Sequence, residues 1–537
     1  MKQERCIIIP AIKKNAVIPD QLVKKLAGIT LIQRALDTAN ALVPGKDIYV
    51  VTDSEEITLI CQRNGVCFHY DKSLRINSTD ILRELKFFIG KQAEFYDHIL
   101  IYRASSPLVN HQDIQNGYDL FIKKKADILV TLKKQQQRIW REGNGQPDQL
   151  ICNEGTETVL IEVKSFLILK STVLNDDCVQ RKVVPYYLDD KAIDINGYQD
   201  WWICEKLLRQ KRIVFVVTGY PVVGLGHVYR ALTLAHEITD HRIEFLCTRA
   251  SELAVKRIAE KDYHTVLQTG SLLEDVLVLE PYLVINDILD TDADYIHGLQ
   301  NAGVKVVNFE DAGLGAEHAD LVVNALFFPD SDLPEKYLYG AQYFCLRDEF
   351  IDVDKSQFHK TVKNLLITFG GTDPQNYTLK TLCSVAEICE RNRIKIFVVT
   401  GPGYLHRAEL ETYFHNNPND RIEYIHQTGM MSAIMQQCDL AISSAGRTVY
   451  ELAHMRVPAV ILAQHTREHT HTFARPENGF EYLGVMDDFD TGRLRDCLLR
   501  LLDSGYRRTL YDRMKQFHFG RNKKKVIRKI LELLDEE

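Results

Sequence analysis

His227 is the residue whose sequence context best suits it to move a proton. It opens a helical pattern directly after Gly224 and Gly226, and a compact apolar strand pattern over residues 213–217 precedes that loop. An imidazole exchanges its proton near neutral pH, and this one would lie where strand, glycine loop and helix form a ligand crevice. The sequence therefore predicts a general base. The alternative is a histidine that orders the start of the helix.

A second turn, from Ser444 to Thr448, has the composition of an anion site. Ser444 ends an apolar strand pattern, Gly446 opens a helical pattern, and Arg447 and Thr448 lie in its first turn. Backbone N–H groups at a helix start attract negative charge, so we expect a diphosphate there. Glu451 would accept hydrogen bonds from ribose hydroxyls. The alternative has Ser444 as a helix cap and Glu451 as an ordinary surface residue.

The turn at Gly370, Gly371 and Thr372 also follows an apolar strand pattern. Strand and helix patterns alternate from Ile213 and again from Asn364, which makes a loose internal repeat. This alternation predicts two α/β domains with parallel sheets. Two such domains that face each other across a cleft can bind a nucleotide sugar and exclude water from the reacting centre.

Polar residues near other strand ends are candidates for the same cleft. Asn286 and Asp287 end an inner strand pattern, and Arg230 lies one helical turn after His227. We expect Asn286 and Asp287 to face the cleft and to contact the sugar. Gln464 follows a later strand pattern and is expected to line the nucleotide pocket.

Three histidines, at positions 465, 469 and 471, raise the question of a zinc site. Spacings of four and two place the first pair alone on one helix face, and no cysteine or carboxylate completes the set. We favour a histidine that lines the nucleotide pocket, together with Gln464.

The first 210 residues show their own alternation of strand and helix patterns, which predicts a three-layer α/β domain. The ligand crevice of such a fold lies where its parallel strands end. Residues expected there to contact a nucleotide or sugar are Lys13, Lys14, Lys24, Asp53, Arg103, Ser105 and Ser106.

Asp194 and Asp200, near the end of this half, are candidate ligands of Mg²⁺. A divalent ion beside substrate phosphates needs carboxylate oxygens. Asp200 also leads a helical pattern, so its alternative role is to cap that helix. No cofactor is expected for the second half.

Bulk composition is that of an ordinary globular protein with more than one core. The chain has 537 residues, 45% hydrophobic and 26% charged. Its formal charge of −7 disfavours a general nucleic-acid binder, and no apolar stretch reaches the roughly 20 residues of a membrane span. The 12 cysteines contain no CxxC pair, which favours reduced thiols in a cytoplasmic protein.

Residues 5–208 resemble the cytidylyltransferases that activate sialic-acid-type sugars as CMP derivatives. The resemblance rests on IPDQLVKKLAGITLIQRAL, VVTDSEEI, SSPLVNHQDI and IDINGYQDWWICEKLL. It implies a Rossmann-like, GT-A-like nucleotidyltransferase fold that uses CTP and Mg²⁺. The first loop departs from the family, because Ile12 stands at its arginine and Lys13 and Lys14 at its glycines. A diverged transferase and a catalytically silent scaffold are both consistent with this.

Residues from Ile213 onward resemble two-domain glycosyltransferases of the GT-B fold. They resemble more closely the UDP-sugar hydrolases of pseudaminic acid biosynthesis and the related spore-coat polysaccharide proteins. The carrying segments are GLGHVYRALTLA, LRDEF, ITFGGTDPQN and ISSAGRTVYELAHMRVPAVIL. The resemblance implies that His227 activates water against the anomeric carbon, flanked by Gly226 and Arg230. The UDP-binding residues that it implies are Ser444, Gly446, Thr448 and Glu451.

We therefore expect three domains, at residues 1–210, 211–360 and 361–537, in a bifunctional enzyme of sialic-acid-like sugar biosynthesis. The second half would hydrolyse a UDP-linked amino sugar, and the first would couple CMP to the finished sugar. The alternatives are a GT-B glycosyltransferase with an inactive first half, and a non-catalytic nucleotide-sugar-binding scaffold. The polar stretch over 135–156 is interpreted as a loop or a dimerisation element, so a homodimer is one expected assembly.

Overall fold

The chain folds into two compact units, Met1–Gln210 and Lys211–Glu537. The computed structural model describes residues 2–13, 18–74, 81–135, 140–142, 147–149, 159–175, 181–221, 223–327, 334–485 and 489–535. Within these ranges, no helix combines the length and apolar character that crossing a bilayer requires. The ten cysteines in these ranges are all free thiols.

The first unit is built on a seven-stranded mixed sheet. Its strands are β1 (Gln3–Ala11), β2 (Lys25–Leu26), β3 (Ile29–Thr30), β4 (Ile48–Thr52), β5 (Cys67–Tyr70), β6 (Tyr96–Tyr102), β7 (Ile128–Gln135), β8 (Trp140–Glu142), β9 (Pro147–Gln149), β10 (Val159–Lys170) and β11 (Val183–Tyr187). Its helices are α1 (Leu31–Asn40), α2 (Glu55–Arg63), α3 (Ile81–Ala93), α4 (His111–Lys124) and α5 (Tyr198–Arg209). The strand order is β11-β7-β10-β6-β1-β4-β5, and β10 runs antiparallel to both of its neighbours.

The centre of this sheet is apolar on both faces. Residues Cys6–Ile9 of β1 are fully buried, as expected for a parallel strand covered by helices on both sides. Helix α1 buries an apolar stripe against one face, and the Thr30 side chain caps it by accepting the Gln33 N–H at 3.2 Å.

The second unit contains two parallel sheets, each with its own helices. Its strands are β12 (Arg212–Val217), β13 (Arg242–Cys247), β14 (Thr265–Leu267), β15 (Leu283–Asp287), β16 (Lys305–Phe309), β17 (Leu321–Asn324), β18 (Tyr337–Tyr339), β19 (Asn364–Thr368), β20 (Lys395–Thr400), β21 (Ile422–His426), β22 (Leu440–Ser444), β23 (Ala459–Ala463) and β24 (Phe480–Val485). Its helices are α6 (Gly226–Ala235), α7 (Glu252–Ala259), α8 (Leu272–Val278), α9 (Ala293–Asn301), α10 (Tyr377–Arg391), α11 (Arg407–Asn416), α12 (Met431–Gln437), α13 (Thr448–Met455), α14 (Thr466–His469), α15 (Thr491–Leu502), α16 (Ser504–Met514) and α17 (Asn522–Asp535).

The two sheets of this unit repeat one strand order. The first lobe is the sheet β14-β13-β12-β15-β16-β17-β18, and the second lobe is the sheet β21-β20-β19-β22-β23-β24. In each, the chain order reverses at the first strand, between β12 and β15 and between β19 and β22. Ligands of open parallel sheets bind outside the carboxyl ends of the strands at such a reversal. The predicted α/β class, with a nucleotidyltransferase-like first part and a GT-B-like second part, is confirmed.

The last helix returns to the first lobe. Val526, Ile527, Ile530 and Leu534 of α17 pack in one core with strands β12, β13 and β15. Lys523, 2% exposed, pairs with Glu237 at 2.6 Å and also with Asp348. The predicted boundaries place this helix with residues 361–537. Its apolar stripe is instead buried in the core of the first lobe.

Candidate active site

A cavity of about 540 Å³ lies between the two lobes of the second unit. Both lobes contribute to its wall through the loops that follow β12, β19, β22 and β23. Predicted site residues that line it are Gly224, Gly226, His227, Arg230, Gly370, Gly371, Thr372, Ser444, Gly446, Arg447, Thr448, Glu451 and Gln464. Its volume suits a ligand of nucleotide size.

His227 is held by the carboxylate that ends the neighbouring strand. Its Nδ1 lies 2.7 Å from Asp287 Oδ1, and Arg230 donates to the same carboxylate from Nε at 2.6 Å and from Nη2 at 2.5 Å. Burial disfavours the ionised carboxylate, but Arg230 and His227 outweigh this and lower the pKa of Asp287. An ionised carboxylate can only accept, so Nδ1 donates and Nε2 is left as a proton acceptor.

The structure does not bring Asn286 to the cleft. Its side chain is 1% exposed, donates to Asn308 Oδ1 at 2.8 Å and accepts from the Tyr295 hydroxyl at 3.0 Å. Consecutive strand residues point to opposite faces. Because Asp287 points toward α6, Asn286 must point to the other side of the sheet. The predicted sugar contact by Asn286 is therefore not supported by its position.

The turn between β22 and α13 presents backbone donors to the cavity. Ala445 donates its N–H to Leu462 O at 3.0 Å and so extends the sheet. The N–H groups of Gly446, Arg447 and Thr448 come next, before any intrahelical acceptor exists for them. The helix begins at Thr448, and Ser444 belongs to β22 rather than to a cap. This turn can accept an anion.

Glu451 is a buried residue, unlike the surface position of the alternative interpretation. It is 6% exposed, and its Oε1 accepts from Arg347 Nε at 2.7 Å. Arg347 also pairs with Glu349 at 2.6 Å. Burial opposes the charge on Arg347, but Glu451 and Glu349 raise its pKa, so the guanidinium stays charged. Arg347 is therefore a charged guanidinium in the cavity wall, and it lies in the segment LRDEF.

The Gly370–Thr372 turn lines the cavity, and the residue that follows it caps the next helix. Asp373 accepts the N–H groups of Tyr377 and Thr378 at 2.9 and 2.8 Å. Gly370 has φ 81°, which favours glycine. Gly224 of the first lobe has φ 88°, and a Cβ there would lie 3.6 Å from Thr372 Oγ1. The two glycine loops thus approach each other across the cleft.

Glu310 was not predicted, and it joins the two lobes. It follows β16 and is 6% exposed. Its carboxylate pairs with Arg230 and, at 3.3 Å, with Arg447 of the second lobe. Burial disfavours its charge, yet Arg230 and Arg447 lower its pKa. The available signal was the acidic pair at positions 310–311 directly after a buried strand pattern.

The segment after β23 has three histidines with three separate partners. His465 Nδ1 caps α14 by accepting the Glu468 N–H at 3.3 Å, His469 Nδ1 lies 2.8 Å from the Tyr482 hydroxyl, and His471 Nδ1 lies 2.7 Å from Ala445 O. Gln464 Nε2 donates to Phe369 O at 3.0 Å. Within the described ranges, no group of three or more His, Cys, Asp or Glu side chains is arranged to hold a metal ion.

Lys13 of the first unit is surrounded by acidic groups. Its Nζ pairs with Asp20 at 2.8 Å and with Glu56 at 2.9 Å, while its N–H donates to Asp53 Oδ1 at 2.8 Å. Lys24 is exposed. The predicted contact at Lys14 lies outside the described residues. The charge of Lys13 is thus satisfied within the protein, unlike that of a cation kept for phosphates.

The acidic residues predicted to bind Mg²⁺ already have protein partners. Asp194 pairs with Arg103 at 3.2 Å, and Ser106 Oγ donates to it at 3.5 Å. Asp200, in the first turn of α5, accepts the Asn196 N–H at 2.9 Å. Ser105 accepts the Ile195 N–H through its carbonyl at 2.8 Å. Asp200 is not the N-cap of α5, because Gly197 holds that position and the Asp200 carboxylate binds the N–H of the preceding Asn196. Both carboxylates are thus engaged by protein groups in this structure.

Comparison with known families identifies a domain in each unit. Residues 6–141 match the cytidylyltransferase family model, and residues 365–529 match the model of the glycosyltransferase family 28 C-terminal domain. The chain is 30% identical over 272 residues to an uncharacterized protein of Methanocaldococcus jannaschii, covering 47% of this chain and 56% of that protein.

Further relatives carry functional names. The spore coat polysaccharide biosynthesis protein SpsG of Bacillus subtilis is 25% identical over 280 residues, which is 49% of this chain and 80% of that protein. The pseudaminic acid cytidylyltransferase and UDP-2,4-diacetamido-2,4,6-trideoxy-beta-L-altropyranose hydrolase of Helicobacter pylori is 25% identical over 172 residues. That match covers 32% of this chain and 28% of the Helicobacter protein. The similarity to sialic-acid-type cytidylyltransferases and to the spore-coat proteins is thus confirmed.

Proposed function

For a chain that carries a cytidylyltransferase domain and a glycosyltransferase family 28 C-terminal domain, we propose that the second unit hydrolyses a UDP-linked amino sugar. The products are UDP and the free sugar. One observation carries the proposal: His227, fixed by Asp287 at 2.7 Å, lines a cavity that also contains the amide donors of the Gly446–Thr448 turn. A base and an anion site on one cavity are what hydrolysis of a sugar diphosphate requires.

The chemistry uses the free ring nitrogen of His227. Nε2 takes a proton from water as the water oxygen bonds to C1 of the sugar. The bond between C1 and the β-phosphate oxygen breaks, and its electron pair leaves with UDP. Asp287 stabilises the imidazolium that forms, since its pKa is held low and it stays ionised.

The leaving group gains negative charge where the second lobe presents donors. The N–H groups at the start of α13 stabilise the diphosphate, with the positive end of the helix dipole behind them. Glu451 accepts hydrogen bonds from the ribose and remains oriented by Arg347 at 2.7 Å. The glycine loops exclude bulk water from C1.

A glycosyltransferase is the second candidate, because the matched family 28 model is a glycosyltransferase domain. In that reaction a sugar or lipid hydroxyl replaces water at C1, and His227 deprotonates it in the same way. The two reactions differ in whether UDP appears when no acceptor is present.

The first unit is proposed to act in the same pathway, by transferring CMP from CTP to a sialic-acid-like sugar in the cytoplasm. The cytidylyltransferase match supports this. The pairing of Lys13 with Asp20 and Glu56, and of Asp194 with Arg103, favours a diverged or silent module. Because Asp194 and Asp200 are engaged, no step is assigned to Mg²⁺, which stays an expectation for this unit.

The decisive experiment mixes the full chain with UDP-activated diacetamido-trideoxyhexoses, without acceptor, and follows UDP release. We expect release by the native protein and a fall of at least about 100-fold in His227→Ala, the usual scale for loss of a general base. UDP binding should persist in the variant, since the amide donors are in the other lobe. Intact UDP binding without release from any such sugar would rule out hydrolysis of this substrate class.

A further inference from the structure

A chain of charged side chains runs from His227 across the cleft to the second lobe. His227 contacts Asp287 at 2.7 Å, Asp287 contacts Arg230, Arg230 pairs with Glu310, and Glu310 lies 3.3 Å from Arg447. Arg447 also donates to Cys345 O at 3.0 Å and stacks on Phe344 at 4.6 Å. The Arg447 side chain therefore points toward Glu310, although its backbone belongs to the Gly446–Thr448 turn of the second lobe.

The charges of this cluster balance while His227 is neutral. Arg230 and Arg447 contribute two positive charges, and Asp287 and Glu310 contribute two negative ones. The side chains of Asp287, Arg230 and Glu310 are 1%, 2% and 9% exposed, and that of Arg447 is 16% exposed. Water screens such groups poorly, so each charge acts strongly on its neighbours. A proton on His227 would add an uncompensated positive charge.

The backbone at Glu310 has a conformation that contacts from its surroundings must fix. Its φ is 52°, a left-handed conformation that a glutamate rarely adopts. Such a residue persists where its surroundings fix it, and strained residues of this kind concentrate at functional sites. The Glu310 carbonyl also accepts from Arg467 Nη2 at 2.9 Å, a further contact from the second lobe.

We propose that Glu310 and Arg447 are positioning residues that set the proton affinity of His227 from across the cleft. Glu310 increases this affinity, and Arg447 decreases it. Both act through Arg230 and Asp287. The inference rests on the proposed role of His227 as the base and adds to it. Through Arg447, the Gly446–Thr448 turn of the second lobe is thereby linked to the base in the first lobe.

Other titratable groups near the cluster do not explain such an effect. Burial lowers the pKa of His471, and burial raises the pKa of Cys345 to about 11, so both remain neutral near pH 7. Arg347 keeps its charge throughout, since Glu451 and Glu349 raise its pKa. Burial raises the pKa of Glu468, beside Gly446, to about 7. Since Glu468 is present in every variant compared, its contribution cancels.

The test measures the pH dependence of kcat/KM for UDP-sugar hydrolysis by the full chain. We expect Arg447→Met to move the acid limb to higher pH and Glu310→Gln to move it to lower pH, each by about one unit. The double variant, which again has balanced charge, should return the limb toward its native position. Arg447→Lys keeps the charge and should leave the limb in place even where the rate falls.

A second readout does not depend on turnover. Diethyl pyrocarbonate reacts with neutral imidazole, so the rate of His227 modification against pH, followed by peptide mass spectrometry, reports the same protonation. Opposite shifts in the two single variants support the proposal even if no hydrolysis is found. Shifts in the same direction, or modification profiles that coincide in all variants, would overturn it. Arg467→Met, which removes a different contact between the lobes, should not reproduce either shift.

Discussion

Glu468 is a buried carboxyl group that the proposed reaction does not use. Its Oε1 lies 3.5 Å from the position that a Cβ on Gly446 would occupy, and its Oε2 accepts the Gln464 N–H at 2.8 Å. Burial raises its pKa to about 7. It is therefore neutral below that pH and anionic above it. An anion beside the Gly446–Thr448 turn repels a diphosphate.

We predict that UDP affinity falls as the pH rises from about 6 to 8 and that Glu468→Gln binds UDP more tightly at the upper pH. The difference should be up to about tenfold, the equivalent of one pKa unit. Isothermal titration of both proteins at each pH separates this effect from ionisation of UDP itself, which both share. Equal pH slopes for the two proteins would exclude a role of Glu468.

At the scale of single residues, the sequence predicted which side chains belong to the site better than it predicted the contacts between them. His227 lines the cavity as predicted, but Asp287, which was expected to contact the sugar, is fully buried and contacts His227 and Arg230 instead. Asn286 was wrongly expected in the cleft, although strand alternation forbids two consecutive residues from facing it together. The pairing of Glu310 with Arg447 spans 137 positions, and nothing in the local pattern encodes such a separation.

The turn Gly370–Thr372 forms part of the wall of the cavity between the two lobes. A Cβ at Gly401, which follows β20, would lie 2.4 Å from Gly371 O, and backbone must shift to relieve that contact. We predict that Gly401→Ala lowers the free energy of unfolding by about 1–3 kcal/mol, as overpacking does. Displacement of the turn should also weaken UDP binding.

Thermal melting with and without UDP checks this prediction. The matched control is Gly520→Ala, where a Cβ would meet nothing within 4 Å. The stabilisation that UDP gives should be smaller in Gly401→Ala than in the control. An unchanged UDP-dependent rise in Tm would mean that the turn does not contact the nucleotide.

Local patterns predicted the elements of the second unit well because its parallel strands are continuous apolar runs. Strand β12, for example, is buried from Ile213 to Val217. The capping of α13 was harder to predict. Ser444 has the composition of a cap, but Ala445 continues the sheet by bonding to Leu462, so the helix starts three residues after Ala445, at Thr448. Whether this segment extends the sheet or caps the helix depends on its hydrogen bond to a distant strand, which the local sequence does not encode.

For the molecule as a whole, α17 connects the end of the chain to the first lobe. Ile530 is fully buried in that core, while its neighbour Lys529 is partly exposed and pairs with Glu532. We predict that Ile530→Ala lowers the free energy of unfolding of the second unit by about 2–5 kcal/mol. Lys529→Ala should change it by less than about 1 kcal/mol, as for a surface ion pair.

Chemical denaturation of the two variants, followed by far-ultraviolet circular dichroism, tests whether α17 belongs to the core of the first lobe. If α17 were peripheral, the two substitutions would have similar small effects. The apolar spacing over residues 526–534 is that of an amphipathic helix, but it does not indicate which lobe buries the stripe, because both lobes offer apolar surfaces. The structure shows that the first lobe buries it.

The repeated strand order of the two lobes has a consequence for how such an enzyme can diversify. Under the proposed function, the proton acceptor lies at the reversal of one sheet and the diphosphate donors lie at the reversal of the other. Mutations in the first lobe can therefore alter which sugar is cleaved while the leaving group stays the same. Mutations in the second lobe can exchange the nucleotide while the chemistry at carbon is kept. New substrate combinations are thus open to recombination between lineages, with Glu310 and Arg447 as the pair that must be inherited together.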